Sequence, residues 1–237
     1  MSKICLIRQP AGLGDILFGQ KIAKHYTDKG YRVIWPVIPE FKWIGEYIGD
    51  VEFPSTEDNF PYKEKFIDNN KIKTDSFIYL PLQVADRYFP GISVMDAKYK
   101  FVGLDYSDWR DYLTINRNSD KEDDLFYNVL GLSDDTEYVF VNRNFGSPPK
   151  FIVSNKVEMN HDVKIIELSF IEGYTLFDWY KVLENASEIH TVETSLNFLI
   201  EVDNNITCKK VMYSKHNPPH FRQVKHLFMG RWDYILN

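Results

Sequence analysis

The sequence predicts an α/β protein in which short strands alternate with helices around mostly parallel sheets. Three observations lead there. Short apolar runs, as at 3–8, 76–80 and 188–192, have the length of buried strands. Segments with apolar residues at helical spacing follow them, and glycine or proline marks the joins. Near residue 137 the strand-then-helix order starts again, as two βαβ-type halves require.

Element by element, 3–8 reads as the first strand and 15–29 as a helix with Ile16, Gly19, Ala23 and Tyr26 on one face. Gly30 closes that helix, and 31–37 is the second strand. A short helix around 40–48, a strand near 51–53 and a strand at 76–80 follow. The connection 54–75 is polar and aromatic, contains Pro54 and Pro61, and has the length of a functional loop. Helices are expected over 93–103 and 121–131. The second half reads as strand 137–144, loop 145–150, strand 162–168, helix 176–186, strand 188–192, helix 194–203, strand 209–214 and a terminal helix near 221–229. The expected division is an N-terminal domain at 1–115, an acidic linker and helix at 116–136, and a C-terminal domain at 137–237.

Composition bounds the function. With 44% apolar and 26% charged residues among 237, the chain can bury a sizeable core. No apolar run reaches the length of a membrane span and the chain starts directly into a strand, so a cytoplasmic protein is expected. Cys5 and Cys208 lie in or beside predicted strands and are expected to serve as small apolar residues rather than a disulfide. Aromatics at 16% suit sugar stacking, but first a Phe- and Tyr-rich core.

The net charge of −6 argues against nucleic acid as a partner. Its distribution is uneven. Asp120, Glu122, Asp123, Asp124, Asp134, Asp135 and Glu137 face a single Lys121, whereas 209–231 holds six Lys/Arg and no acid. That balance suits an anionic ligand near the C-terminal half, and the basic region is a candidate for peripheral contact with a membrane surface.

The first candidate site joins the first strand to the first helix and reads Gln9-Pro10-Ala11-Gly12-Leu13-Gly14-Asp15. Glycines let a ligand approach the main chain, and the free N–H groups of a helix start attract anions. It is neither the dinucleotide fingerprint, since Leu17 stands at the third glycine position, nor a P-loop, since no Gly-Lys-Ser/Thr is present. Asp15 offers a carboxylate at the mouth of an α/β crevice; its plainer role is to complement the helix dipole.

This segment resembles the start of the lipopolysaccharide heptosyltransferases and related two-domain GT-B glycosyltransferases. There a first strand runs into Gly-x-Gly-Asp, matched by Gly12, Gly14 and Asp15. The resemblance implies that Asp15 is the general base toward an acceptor hydroxyl. It also implies two Rossmann-like domains facing a cleft, here in a compact version because the chain is shorter than the family's usual members. The stretch Val192-Glu193-Thr194-Ser195-Leu196-Asn197 supports it, resembling the family's strand that ends in Asp-Thr-Gly/Ser-Leu before a helix that binds the nucleotide-sugar donor. Glu193 replaces the Asp, and Asn197 stands where the family often has His. Tyr174-Thr175-Leu176-Phe177-Asp178-Trp179 is similar to the family's entry into its penultimate helix.

Thr194 and Ser195 hydroxyls with free N–H groups suit a diphosphate, although Thr194 and Asn197 have the spacing of a helix cap. Glu193 would repel phosphate, so hydroxyls are its expected partners. Glu193 and Glu201, eight residues apart, also match the Glu-x7-Glu of many retaining transferases on this fold, which leaves the stereochemical outcome open. Asn142 and Arg143 at the end of strand 137–144, and Lys150 after Pro148-Pro149, complete the expected donor side; the cations would neutralise a leaving diphosphate. His216, His220 and His226 do not form a metal motif, because Pro218 and Pro219 interrupt the helical spacing. The resemblance implies no metal and no cofactor, the nucleotide sugar being a substrate.

The expected function is thus transfer of a sugar from a nucleotide-sugar donor to a glycan or other hydroxyl acceptor. The rival from another class is a non-catalytic nucleotide- or glycan-binding scaffold, and a third reading is an epimerase or hydrolase on the same fold.

Overall fold

The structure, a computed structural model, describes residues 3–57, 76–145, 153–154, 163–214 and 224–236. The chain forms two compact units, residues 1–116 and 117–237.

The first unit is built on a three-stranded parallel sheet in the order β2-β1-β3. β1 (Lys3–Ile7) leads into helices α1 (Leu13–Phe18) and α2 (Gln20–Asp28), then β2 (Tyr31–Ile34), a short helix α3 (Ile44–Tyr47), β3 (Phe77–Leu80) and helix α4 (Val94–Val102). β1 is central because both its faces are covered: Cys5, Leu6 and Ile7 are fully buried. Burial pushes the Cys5 thiol up to about 12. The helix expected at 15–29 is divided at Gly19, whose missing side chain makes room for Trp35; a Cβ there would lie 2.7 Å from the indole. The strand expected near 51–53 is reduced to isolated bridges, Ile34 with Glu52 and Val37 with Ser55. Asp50, in the left-handed region at φ 64°, precedes this stretch, and Pro54 within it has no N–H to donate. Phe18, Tyr99 and Trp109 form the aromatic centre of the core, and the Tyr99 hydroxyl donates to the Phe18 carbonyl at 2.6 Å.

The second unit carries a five-stranded parallel sheet in the order β10-β9-β8-β4-β7. Its helix α5 (Ser119–Asp123) continues into a π-helical segment Asp124–Val129. Leu125 and Phe126 are fully buried in the unit's core, so 117–136 belongs to this unit. Of the acids of this segment, Glu122 is buried against Arg117, whereas Asp123 and Asp124 lie outside, where Asp123 pairs with Lys181 and Asp124 accepts from Tyr174. Then follow β4 (Tyr138–Asn142), the two-residue strands β5 (Asn144–Phe145) and β6 (Val153–Ser154), β7 (Lys164–Glu167), α6 (Tyr180–Glu184), β8 (Glu188–Val192), α7 (Ser195–Val202), β9 (Lys209–Tyr213) and β10 (Trp232–Ile235).

The chain's end differs from expectation. Of the terminal helix expected near 221–229, the described part holds one 3₁₀ turn, Lys225–Leu227, and β10 then pairs parallel with β9. A four-residue edge strand is too short to show a period in the sequence. Among the described residues no helix is long and apolar enough to cross a membrane.

Candidate functional site

In each unit the strand order reverses at the strand that comes first in sequence. β1 has β2 on one side and β3 on the other; β4 has β7 on one side and β8 on the other. Connections leave in opposite directions at such a strand, opening a crevice at its C-terminal end where ligands bind in parallel α/β sheets.

At the end of β1 the chain turns through Gly12, in the left-handed region at φ 85°, into α1. A Cβ on Gly12 would lie 2.5 Å from Asp15 Oδ2, so only glycine lets the carboxylate fold over the loop. Gly14 lies in the first turn of α1. Asp15 Oδ1 is 3.0 Å from Lys98 Nζ; the lysine side chain is 1% exposed and that of Asp15 28%. Lys98 Nζ also donates to Gln9 Oε1 at 2.7 Å and to the Leu82 carbonyl at 3.1 Å. Four segments therefore meet at one ammonium: the exits of β1 and β3, the start of α1, and α4. Helix α4 is fixed at its start by Ser93, which accepts from the Asp96 N–H, and at its end by Gly103 in the left-handed region. That phase turns Met95, Lys98 and Tyr99 inward together. The arrangement orients a carboxylate beside a buried ammonium while leaving it reachable from solvent, a placement a general base can use.

Lys98 was not among the residues expected from sequence, and Gln9 entered only as the first residue of the loop, without a role. The available signal was a lysine on the apolar side of α4, between Met95 and Tyr99.

At the end of β4, Asn142 Nδ2 donates to Thr191 Oγ1 at 3.3 Å and to Thr194 Oγ1 at 3.2 Å, tying the exits of β4 and β8 together. Thr194 precedes α7, and its N–H donates to Asn197 Oδ1 at 2.7 Å, so the cap expected from spacing forms. Ser195 is the first residue of α7 and is half-buried. Asn197 is wholly buried, and its Nδ2 has no hydrogen-bond partner among the described residues. A buried amide without a partner is a donor awaiting an acceptor.

The remaining expected residues have these surroundings. Arg143 is ion-paired at 2.5 Å with Glu167 at the end of β7. Lys150 lies outside the described residues, as do His216 and His220. Glu193 is 1% exposed, and its Oε1 accepts from Tyr234 Oη at 2.7 Å and from the Val224 N–H at 3.4 Å. Burial, with the Glu193 carboxylate, pushes the Tyr234 phenol up. Glu201 accepts from the N–H groups of Met229 and Gly230 at 2.7 and 2.6 Å and from Trp232 Nε1 at 2.8 Å. The two glutamates of the Glu-x7-Glu spacing thus hold the C-terminal segment and β10. Within the basic region, Lys209 pairs with Glu188, and Lys210 and Lys225 lie over the rings of Trp232 and Tyr234.

Among solved structures, the chain is similar to a glycosyl transferase family 9 protein from Veillonella parvula. The TM-score is 0.60 at 12% identity, over 100% of this chain and 88% of that one. It also matches the iron-containing dodecameric glycosyltransferase TibC of enterotoxigenic E. coli, at TM-score 0.49 and 9% identity over 90% of this chain and 58% of that one. A third match is E. coli heptosyltransferase WaaC with ADP, at 0.43 and 10% identity over 98% and 90%. No protein-family model and no curated protein sequence matches the chain. The first of these likenesses establishes the fold: this chain has the α/β fold of a family 9 glycosyltransferase, with Rossmann-like sheets.

Proposed function

We propose that the protein is a glycosyltransferase that moves a sugar from a nucleotide-sugar donor to an acceptor hydroxyl. The observation that carries this reading is the solvent-reachable Asp15 carboxylate held on buried Lys98 at the strand-order reversal of the first unit. Asp15 takes the proton of the acceptor hydroxyl, and the oxygen bonds to the anomeric carbon. The bond from that carbon to the diphosphate oxygen breaks, and the nucleoside diphosphate leaves with the electron pair. Lys98 acts through Asp15, holding one carboxylate oxygen so that the other faces the acceptor.

The second unit is the proposed donor side. The free N–H groups at the start of α7, the hydroxyls of Thr194 and Ser195, and the unpartnered Asn197 amide favour a diphosphate, where preorganised donors contribute most to stabilising a leaving group. Arg143 and Lys150 are proposed to add positive charge, with Arg143 giving up Glu167 to do so, and the reading calls for no bound metal. Glu193 is assigned to holding β10 rather than to hydroxyls of the donor.

The test is nucleotide release from a panel of nucleotide sugars in the presence of hydroxyl acceptors. Asp15→Asn keeps shape and removes the proton acceptor, so turnover falls by about 10²–10⁴ with donor affinity nearly constant. A wild-type chain that binds a nucleotide sugar and transfers to no acceptor would make it the non-catalytic module instead.

A further inference from the structure

The first unit contains a second cavity, of about 460 Å³, that none of Gln9, Asp15, Leu82 or Lys98 lines. Its volume lies within the roughly 300–1,000 Å³ of small-molecule sites. Its walls are α2, the stretch 48–51, and the segment 111–116 that closes the unit.

Four features describe what would fit it. Gln20 is 4% exposed and lines the cavity; its Nε2 donates to the Ile16 carbonyl at 2.8 Å, while its Oε1 accepts from no described residue. That leaves a nearly buried acceptor turned to the cavity without a donor. Asp50 and Asp111 bring two carboxylates to the wall, and neither side chain accepts a hydrogen bond or forms an ion pair among the described residues. Asp50 is also the one non-glycine in the left-handed region among the described residues, at φ 64°. Lys24, the cation on the wall, is paired with Asp28 and also lies within electrostatic reach of Asp50 and Tyr112. Tyr112 adds an aromatic ring, and Asn116 an exposed amide that can donate and accept.

The chemistry selects among ligands. Two carboxylates disfavour a phosphate or nucleotide, and an apolar guest would displace water from Gln20 Oε1 and from the exposed Asp50 and Asp111 carboxylates without replacing its hydrogen bonds. A polyhydroxylated ring answers all of them: its hydroxyls donate to Asp50, Asp111 and Gln20, it accepts from Asn116, and it lies beside Tyr112, whose ring also carries the Lys21 ammonium at 5.2 Å. We propose that this cavity is a carbohydrate-binding subsite for a neutral pyranose unit, apart from the β1 crevice. The proposal does not rest on the transferase reading, since it needs no reaction at Asp15.

Saturation-transfer NMR on the full chain tests it, with glucose, galactose, mannose, N-acetylglucosamine and their common disaccharides as probes, and a diamine as the cationic control. The expected result is saturable binding of at least one neutral sugar in the millimolar range. That binding weakens about tenfold or more in Asp111→Ala/Asn116→Ala, two exposed positions, with the melting temperature unchanged. The same binding persists in Asp15→Asn, which separates it from acceptor binding at the β1 crevice. Three results would overturn the proposal: no sugar binds, binding is lost in Asp15→Asn but kept in the double variant, or the diamine binds and the sugars do not. A transferase lacking this subsite would keep its Asp15-dependent turnover, so the two readings fail separately.

Discussion

A single ammonium, Lys98 Nζ, joins four chain segments in the first unit, with Asp15 at 3.0 Å and Gln9 at 2.7 Å. Burying a lysine is costly unless its charge is answered, and here a carboxylate and two further acceptors answer it. Lys98→Met removes the cation and leaves Asp15 facing an apolar neighbour. Breaking a fully buried pair costs about 3–5 kcal/mol; because Asp15 keeps water contact, the expected loss is about 2–3 kcal/mol in a urea melt. If Lys98 positions the base, kcat falls in this variant while the donor KM stays within about twofold, a split that a purely structural lysine would not produce. Gly12 belongs to the same arrangement, since its left-handed backbone and missing Cβ are what admit the Asp15 carboxylate.

Helix α7 works at both ends. Its start is capped by the Thr194–Asn197 reciprocal contact and leaves an unpartnered amide; toward its end, Glu201 gathers two backbone N–H groups and the Trp232 indole. Hydrogen bonds to a charged acceptor contribute about 1.5–3 kcal/mol each and are not additive, so Glu201→Ala should cost about 2–4 kcal/mol overall. Hydrogen exchange offers the sharper readout: protection should fall first in 224–235 and in the β9 edge it covers, with β1 and β2 unchanged. A Glu201 acting on the donor would instead change turnover without loosening β10. At the start of α7, Thr194→Ala and Asn197→Ala are each expected to weaken nucleoside-diphosphate binding by about 10- to 100-fold in calorimetry. Unchanged affinity in both, with folding intact, would leave the helix start as a cap alone.

On the scale of the molecule, each unit has its own parallel sheet, its own core and its own strand-order reversal. The residues proposed for the acceptor side and those proposed for the donor side therefore fall on separate units. Donor stabilisation of the folded state should follow the second unit only. At a hundredfold excess over Kd a nucleotide ligand contributes about 2.7 kcal/mol; this shift should survive Asp15→Asn and shrink to about 0.4–1.4 kcal/mol in Asn197→Ala. A shift that depended on Asp15 would move the nucleotide to the first unit.

By itself the sequence determined what rests on local chemistry. Strand runs at 3–8 and 188–192, the helix that Gly103 ends, the Gly12-Leu13-Gly14-Asp15 turn and the Thr194 cap all follow from periodicity and from backbone preferences within a few residues. Only the tertiary structure decided which of the polar residues share a site. Lys98 meets Gln9 across 89 residues of chain, and Glu201 meets Gly230 across 29. Nothing near Lys98 in sequence shows that its charge is answered, because its partners arrive on β1, α1 and the exit of β3. Glu193 and Glu201 have a spacing that suggests one ligand, yet β10, a strand too short to carry a period, is what binds both. A buried charge takes its meaning from the element that packs against it, and that pairing is a property of the folded chain.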